Sequence, residues 1–250
     1  MKRTITTQAE LDALVTIAAV EEIEIIGEGL RLTHRLTVRG SLVVKVALAT
    51  SWNDNYVEAR ESAHVVAWGS AHVVAWGSAH VEAWESAHVV ARESAHVEAR
   101  ESAHVEARGS AHVVARGSAH VEARESAHVV ARESAHVEAR GSAHVVAWGS
   151  AHVVARGSAH VVAWGSAAIH LNEKASVALH GYSVAWIPED EKCSAHCKSD
   201  TARIQTVQPR SYFDREGIAQ DNGVVVLFKR VSSEWKTQEG TDKETAWTPG

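Results

Sequence analysis

Thirteen histidines recur at intervals of eight residues: His64, His72, His80, His88, His96, His104, His112, His120, His128, His136, His144, His152 and His160. Imidazole changes charge close to neutral pH, and its neutral form can donate a hydrogen bond, accept one or ligate a metal. A row of them at fixed spacing admits three chemistries. The favoured one is a structural ladder, in which each ring stacks on or hydrogen-bonds to the next. The second is a pH response, because adjacent cations repel one another below roughly pH 6. The third is metal binding, but parallel rows lack the tetrahedral or octahedral convergence of a selective site, so Ni or Zn would bind adventitiously. A separate candidate metal site is Cys193, His196 and Cys197. CxxHC is not a standard zinc spacing and no fourth ligand is evident, so two free thiols in a loop, or a local disulfide, compete with it. No set of acid, base and nucleophile stands together anywhere in the sequence. The expectation is a protein that is not an enzyme and has no cofactor.

The histidines belong to an octad, [E/G]-S-A-H-V-[V/E]-A-[W/R], repeated thirteen times from Glu61 to Trp164 without insertion or deletion. Positions 3, 5 and 7 are always Ala, Val and Ala, and the positions between them are polar or variable. Such alternation is the period of a β-strand, whose neighbouring side chains point to opposite faces. Eight residues is not a whole number of helical turns, and valine is β-branched. One octad cannot bury its apolar stripe, whereas stacked octads can. The phase continues outside the perfect repeats. Asn53–Arg60 is a worn octad, and the segments 165–172, 173–180 and 181–188 place Ala167, Ile169, Leu171, Ala175, Val177, Leu179, Ser183, Ala185 and Ile187 on inward positions. Ala-Val-Ala is too thin to fill a triangular interior at native packing density. The expected fold is therefore all-β: a parallel β-solenoid, flat and two-sided, with two octads (16 residues) per coil. Residues 45–188 would form about nine coils and a rod roughly 43 Å long.

Only positions 1, 6 and 8 vary within the run. They exchange Gly for Glu, Val for Glu and Trp for Arg, and a buried site would not accept the last two exchanges. Position 1 is expected at a turn, where glycine supplies permissive backbone angles and glutamate can approach the preceding arginine. Serine at position 2 is expected on the histidine face. Arginine holds position 8 from Arg92 to Arg140, giving a charged waist between apolar shoulders. One shoulder patch is Val66, Trp68, Val74 and Trp76, with Trp84 close by, and the other is Val146, Trp148, Val162 and Trp164. Exposed aromatic patches mark association sites.

Residues 1–44 are expected to form an N-terminal cap with the first strands. Thr7-Gln-Ala-Glu10 reads as a capping box opening a short helix through about Val15, and EEIEIIGEGLRL follows as a strand that protects the end of the sheet. A register shift is expected near Lys45. Residues 189–250 form a C-terminal segment: PEDEKCSAHCKSD as a loop, ARIQTVQP as a strand, FDREG as a turn and GVVVLFKRV as a buried strand. Two Phe and three Tyr are too few for a conventional large globular core, and the net charge of −6 offers no field for nucleic acid or an anionic membrane. Neither a signal peptide nor a membrane-spanning run is evident, so a cytoplasmic location is the default.

The ESAHVVAR and GSAHVEAW arrays, followed by GYSVAW and then VVVLFKRVSSEWKTQEGTDKETAWTPG, resemble a family of uncharacterised bacterial and phage proteins built on tandem octapeptide β-solenoids. In that family the TAWTPG-like stretch leads into a further C-terminal domain, so the resemblance implies that this segment is the truncated start of one. It implies architecture and no established activity. At the level of fold the array is also similar to ice-nucleation proteins and to bactofilins, although it lacks the Thr-x-Thr rows of an ice-binding face. The function expected is a structural one: a self-associating scaffold or spacer, a homo-oligomer through lateral or end contacts. The alternatives are a module presenting a regular face to a repetitive ligand such as a polymer, ice or another solenoid, and a display stalk for a missing C-terminal effector domain.

Overall fold

A computed structural model of the chain describes residues 2–18, 21–26, 30–44, 56–188, 192–207, 220–221 and 224–225. Its architecture is the flat, two-sided parallel solenoid that the octad predicts. The elements run β1 (Lys2–Ile5), α1 (Gln8–Asp12), β2 (Thr16–Ile17), β3 (Glu22–Ile25), β4 (Leu36–Val38), β5 (Ser41–Val44) and β6 (Val57–Ala59). Strands β7 to β19 are positions 4 to 7 of the thirteen octads, from His64–Ala67 to His160–Ala163. β20 (Ala168–Leu171), β21 (Ser176–Leu179), β22 (Val184–Pro188), β23 (Ser194–Cys197) and β24 (Arg203–Val207) follow. Odd-numbered strands from β1 to β23 form one parallel sheet of twelve strands, here face A, and even-numbered strands from β2 to β24 form a second, face B. Consecutive octads therefore fall on opposite sheets. Each residue pairs with the one sixteen positions away, as His96 does with His80 and His112. Twelve coils at about 4.8 Å per step make this stack ~53 Å long.

The alternation settles the inside. Within the array, Ala at position 3, Val at position 5 and Ala at position 7 are buried throughout, as at Ala127, Val129 and Ala131. Burying each valine contributes about 1.5–3 kcal/mol, repeated coil after coil. The ends use larger side chains. Ile5, Ile17, Ile25, Leu36 and Leu42 fill the first coils, and Ile169, Leu171 and Leu179 the last. Those first coils are also longer and less regular: Lys2 pairs with Glu22, Glu22 with Ser41, and Ser41 with His64. The capping box is present, with Thr7 Oγ1 accepting from the Glu10 N–H and Glu10 Oε2 accepting from the Thr7 N–H. The helix is one turn shorter than the sequence suggests, because Leu14 and Ile17 are drawn into the core where the chain turns into β2.

Between strands the chain makes a tight turn through positions 1 and 2. The Ala79 N–H donates to the Trp76 carbonyl across Gly77 and Ser78. All position-1 residues from Glu61 to Gly181 adopt positive φ, the glutamates at +56° to +61°. Serine thus sits at the corner and not on the histidine face. Its N–H, and in several coils its hydroxyl, donates to the position-1 carbonyl of the coil below, as Ser118 does to Glu101.

The chain divides into two compact units, Met1–Thr206 and Val207–Gly250. In the second unit the described strands are β25 (Gln220–Asp221) and β26 (Val224–Val225), paired antiparallel. Val224 and Val225 lie within the predicted GVVVLFKRV strand. The rest of that strand, FDREG, the TAWTPG stretch and the register shift near Lys45 lie outside the described residues. The loop expected over PEDEKCSAHCKSD is corrected in its centre. Ser194–Cys197 is a strand, because Ala195 takes the inward register of Val177 and joins the stack.

Candidate functional site: the outward rows

Positions 4, 6 and 8 project outward and form rows along each sheet. Histidine row A is His64, His80, His96, His112, His128, His144 and His160, and row B is His72, His88, His104, His120, His136 and His152. Through the middle of both rows the rings stack face to face. His80 and His96 are 4.8 Å apart with a 7° interplanar angle, and His104 and His120 are 5.1 Å apart at 8°. This face-to-face geometry is the stacking expected of the ladder, because strand spacing sets the rings one above another. Order falls at the C-terminal end, where His144 and His160 meet at 60° and His160 Nδ1 lies 2.7 Å from Ser176 Oγ. Burial, and then the neighbouring His80 and His112, hold His96 below the ordinary imidazole value. The same causes lower His120, with His104 and His136 as its neighbours, and His152, with His136.

Positions 6 and 8 differ sharply between the faces. On face B, Glu106, Glu122 and Glu138 bond Arg108, Arg124 and Arg140 two residues on, each at 3.0 Å. Glutamate at position 6 thus bonds the arginine two residues on, while at position 1 Glu61 lies 3.6 Å from Arg39 of an earlier coil. Between these carboxylates and His88, His104, His120, His136 and His152 lies a groove of about 400 Å³. On face A the carboxylates stop after Glu98, and position 6 continues as Val114, Val130, Val146, Val162 and Ala178. The charged waist is therefore concentrated on one side.

The tryptophans divide in the same way. Trp68 and Trp84 stack at 4.8 Å on face A. Val74 and Trp76 lie on face B, so the proposed patch of Val66, Trp68, Val74 and Trp76 is split between opposite sheets by the two-octad coil. Arg92 covers Trp76 at 4.5 Å, and Arg100 covers Trp84 at 4.3 Å. The second patch holds together: Val146, Trp148, Val162 and Trp164 all lie on face A, and Trp148 stacks on Trp164 at 5.2 Å. Trp148 is 44 % exposed, and the other four are partly covered by the residues above and below. Two further ring stacks, Trp164 on His180 at 3.8 Å and His170 on Trp186 at 4.7 Å, went unread in the sequence. Their signal was the octad phase beyond residue 164, which carries rings at positions 6 and 8.

Cys193, His196 and Cys197 are not brought together as a metal site. His196 and Cys197 align with Ala178 and Leu179, which point to opposite sides of the strand, and Cys193 packs against the core. Both cysteines are free thiols. Among the described residues no group of three or more His, Cys, Asp or Glu side chains is placed to hold a metal ion, and no helix is long and apolar enough to cross a membrane. Comparison with protein-family models, curated proteins and solved structures gives no match to this chain.

Proposed function

We propose that the chain is a structural scaffold or spacer that associates with copies of itself through the outward rows of its solenoid. One observation carries this reading. On face A five successive coils present an apolar position 6, from Val114 to Ala178, beside the stacked and partly exposed Trp148–Trp164 pair. A contiguous apolar strip beside an aromatic pair is the composition of an interface core, and a solvated spacer has no use for it. Sedimentation velocity of the full chain over a wide concentration range tests the proposal. Mass rising with concentration supports it, and a monomer at every concentration removes it.

A second reading rests on the face B groove. Histidines on one wall and glutamates on the other repeat every coil, which suits an extended ligand whose own repeat is near the ~4.8 Å strand spacing. A titration of linear glycans and extended peptides tests it, with saturable binding lost in H120A and E122A as the supporting outcome.

A further inference from the structure

We infer that the association surface of face A is its own complement under one two-fold axis. The axis runs along the strand direction and lies between strand His128–Ala131 and strand His144–Ala147, so that two chains pack antiparallel. This deepens the scaffold reading above and rests on it.

The argument starts from the order of residues along face A. At position 6 the sequence of coils is Glu82, Glu98, Val114, Val130, Val146, Val162, Ala178 and His196. A two-fold axis along the strands reverses the order of coils and leaves each position opposite its own kind. Val130 then meets the partner's Val146, Val114 meets the partner's Val162, and Glu98 meets the partner's Ala178. Glu82 meets the partner's His196. No carboxylate faces a carboxylate. A parallel pair in the same register sets Glu82 and Glu98 each against its own copy, and burying those like charges is costly.

Position 8 gives the stronger constraint. Its order is Trp84, Arg100, Arg116, Arg132, Trp148, Trp164, His180 and Lys198. Arg100 has Glu98 as its partner at 3.2 Å. Arg116 and Arg132 have valine, Val114 and Val130, where the other arginines of the waist from Arg100 to Arg140 have glutamate. The axis puts Arg132 opposite the partner's Trp148 and Arg116 opposite the partner's Trp164. One face of the Trp148 ring stacks on Trp164, and the ring stays 44 % exposed toward the side a partner would approach. The chain already stacks arginine on tryptophan at Trp76 and Trp84, so the contact is one its own side chains make. Both faces of Trp164 are covered, by Trp148 and His180. The methylene stem of the partner's Arg116 therefore packs on the edge of that ring. Two guanidiniums that lack an acid, followed by two indoles, become two indoles followed by two guanidiniums when the order is reversed, so each meets its complement across the axis.

The near-parallel imidazoles of the middle coils show that successive strands are rotated little, which allows two such faces to stay in contact over many coils. Eight strands at about 4.8 Å by five residues at about 3.3 Å cover roughly 600 Å² on each copy, or about 1,200 Å² in all. That is the lower end of a specific interface and fits a dimer that forms and dissociates.

A complementation experiment on the full chain tests the register. W148R/W164R makes positions 116, 132, 148 and 164 all arginine, and R116W/R132W makes all four tryptophan. Position 8 carries both residues within this array, so each variant keeps the fold, with circular dichroism as the check. The all-arginine chain is expected to associate with itself at least about tenfold more weakly than the wild type. Mixing it with the all-tryptophan chain is expected to restore a one-to-one complex that sediments like the wild-type dimer. The control W76R, on face B and outside this surface, is expected to leave association unchanged. A wild type that associates while W148R/W164R does so equally well overturns the register and leaves the scaffold reading standing. A wild type that stays monomeric overturns both.

Discussion

The carboxylate of Glu93 accepts a hydrogen bond at 2.9 Å from the backbone N–H of Gly77, sixteen residues earlier and one coil below. The same bond joins Glu125 to Gly109, Glu133 to Gly117 and Glu173 to Gly157. Glutamate at position 1 occupies a left-handed backbone conformation that costs about 1 kcal/mol, and this bond to an otherwise open turn amide offsets the strain. Glu93→Ala keeps the strain and loses the bond, so it is expected to destabilise by about 1 kcal/mol. Glu93→Gly loses both and is expected to be nearly neutral. Urea unfolding of the two variants distinguishes these outcomes.

Gly165 stands on Gly149, where an added Cβ would come within 2.9 Å of the Gly149 carbonyl oxygen at φ +71°. No carboxylate compensation is open to alanine. Gly165→Ala is expected to cost more than Glu93→Ala, about 2 kcal/mol, from steric crowding added to the left-handed strain. The midpoint of urea unfolding measures it.

Val129 is buried and Val130, its neighbour, faces outward. Removing two methyl groups in Val129→Ala is expected to cost about 2 kcal/mol, because the thin core cannot close the gap. Val130→Glu, a larger chemical change, is expected to alter monomer stability by less than about 0.5 kcal/mol, since that position already alternates between the two residues. Thermal melts of the two variants at a concentration where the chain is monomeric should separate them by several degrees.

Glu58 is buried on face B, with Arg60 at 2.7 Å and Arg35 at 3.5 Å. Removing Arg60 leaves the buried carboxylate with Arg35 alone at 3.5 Å, so Arg60→Ala is expected to cost about 2 kcal/mol. Glu58→Val extends the Val74 row by one coil and is expected to be neutral or stabilising. Denaturant titration of both variants checks the contrast.

Acid should loosen the histidine rows. In the folded chain His96, His120 and His152 titrate below the ordinary value of 6.5, for which burial is the first cause and the adjacent rings the second. The unfolded chain therefore takes up these protons first. Their contribution to stability is complete above about pH 6.5 and is lost as pH falls through the lower folded values. Unfolding midpoints from pH 8 to pH 5 are expected to drop across that window, and H96N/H120N/H152N is expected to flatten the curve.

The inside of the solenoid was legible because Ala-Val-Ala never varies, and its small volume fixed two octads per coil. The outward rows were legible for the same reason in reverse, since Trp/Arg and Val/Glu exchanges exclude burial. The histidine ladder apart, contacts with the coil above or below did not show. The bond from Glu93 to Gly77 joins residues that share no local motif. The split of Val66 from Val74 follows from assigning alternate octads to opposite sheets, which eight-residue spacing hides when it is read along the chain. Lysines and acids surround Ser194–Cys197 and hide its strand register, in which Ala195 and Cys197 align with the inward Val177 and Leu179. The uneven coils before His64 are set by larger core residues and carry no period to read.

The two-octad coil gives every repeat a parity. Duplicating or deleting a pair of octads lengthens or shortens the stack and leaves each downstream residue on its original side. Gaining or losing a single octad transposes everything that follows, so that Trp148 and Trp164 would trade sides with Arg140 and Arg156. Homologous recombination within so repetitive a gene produces both events, and only the even ones preserve which residues share a surface.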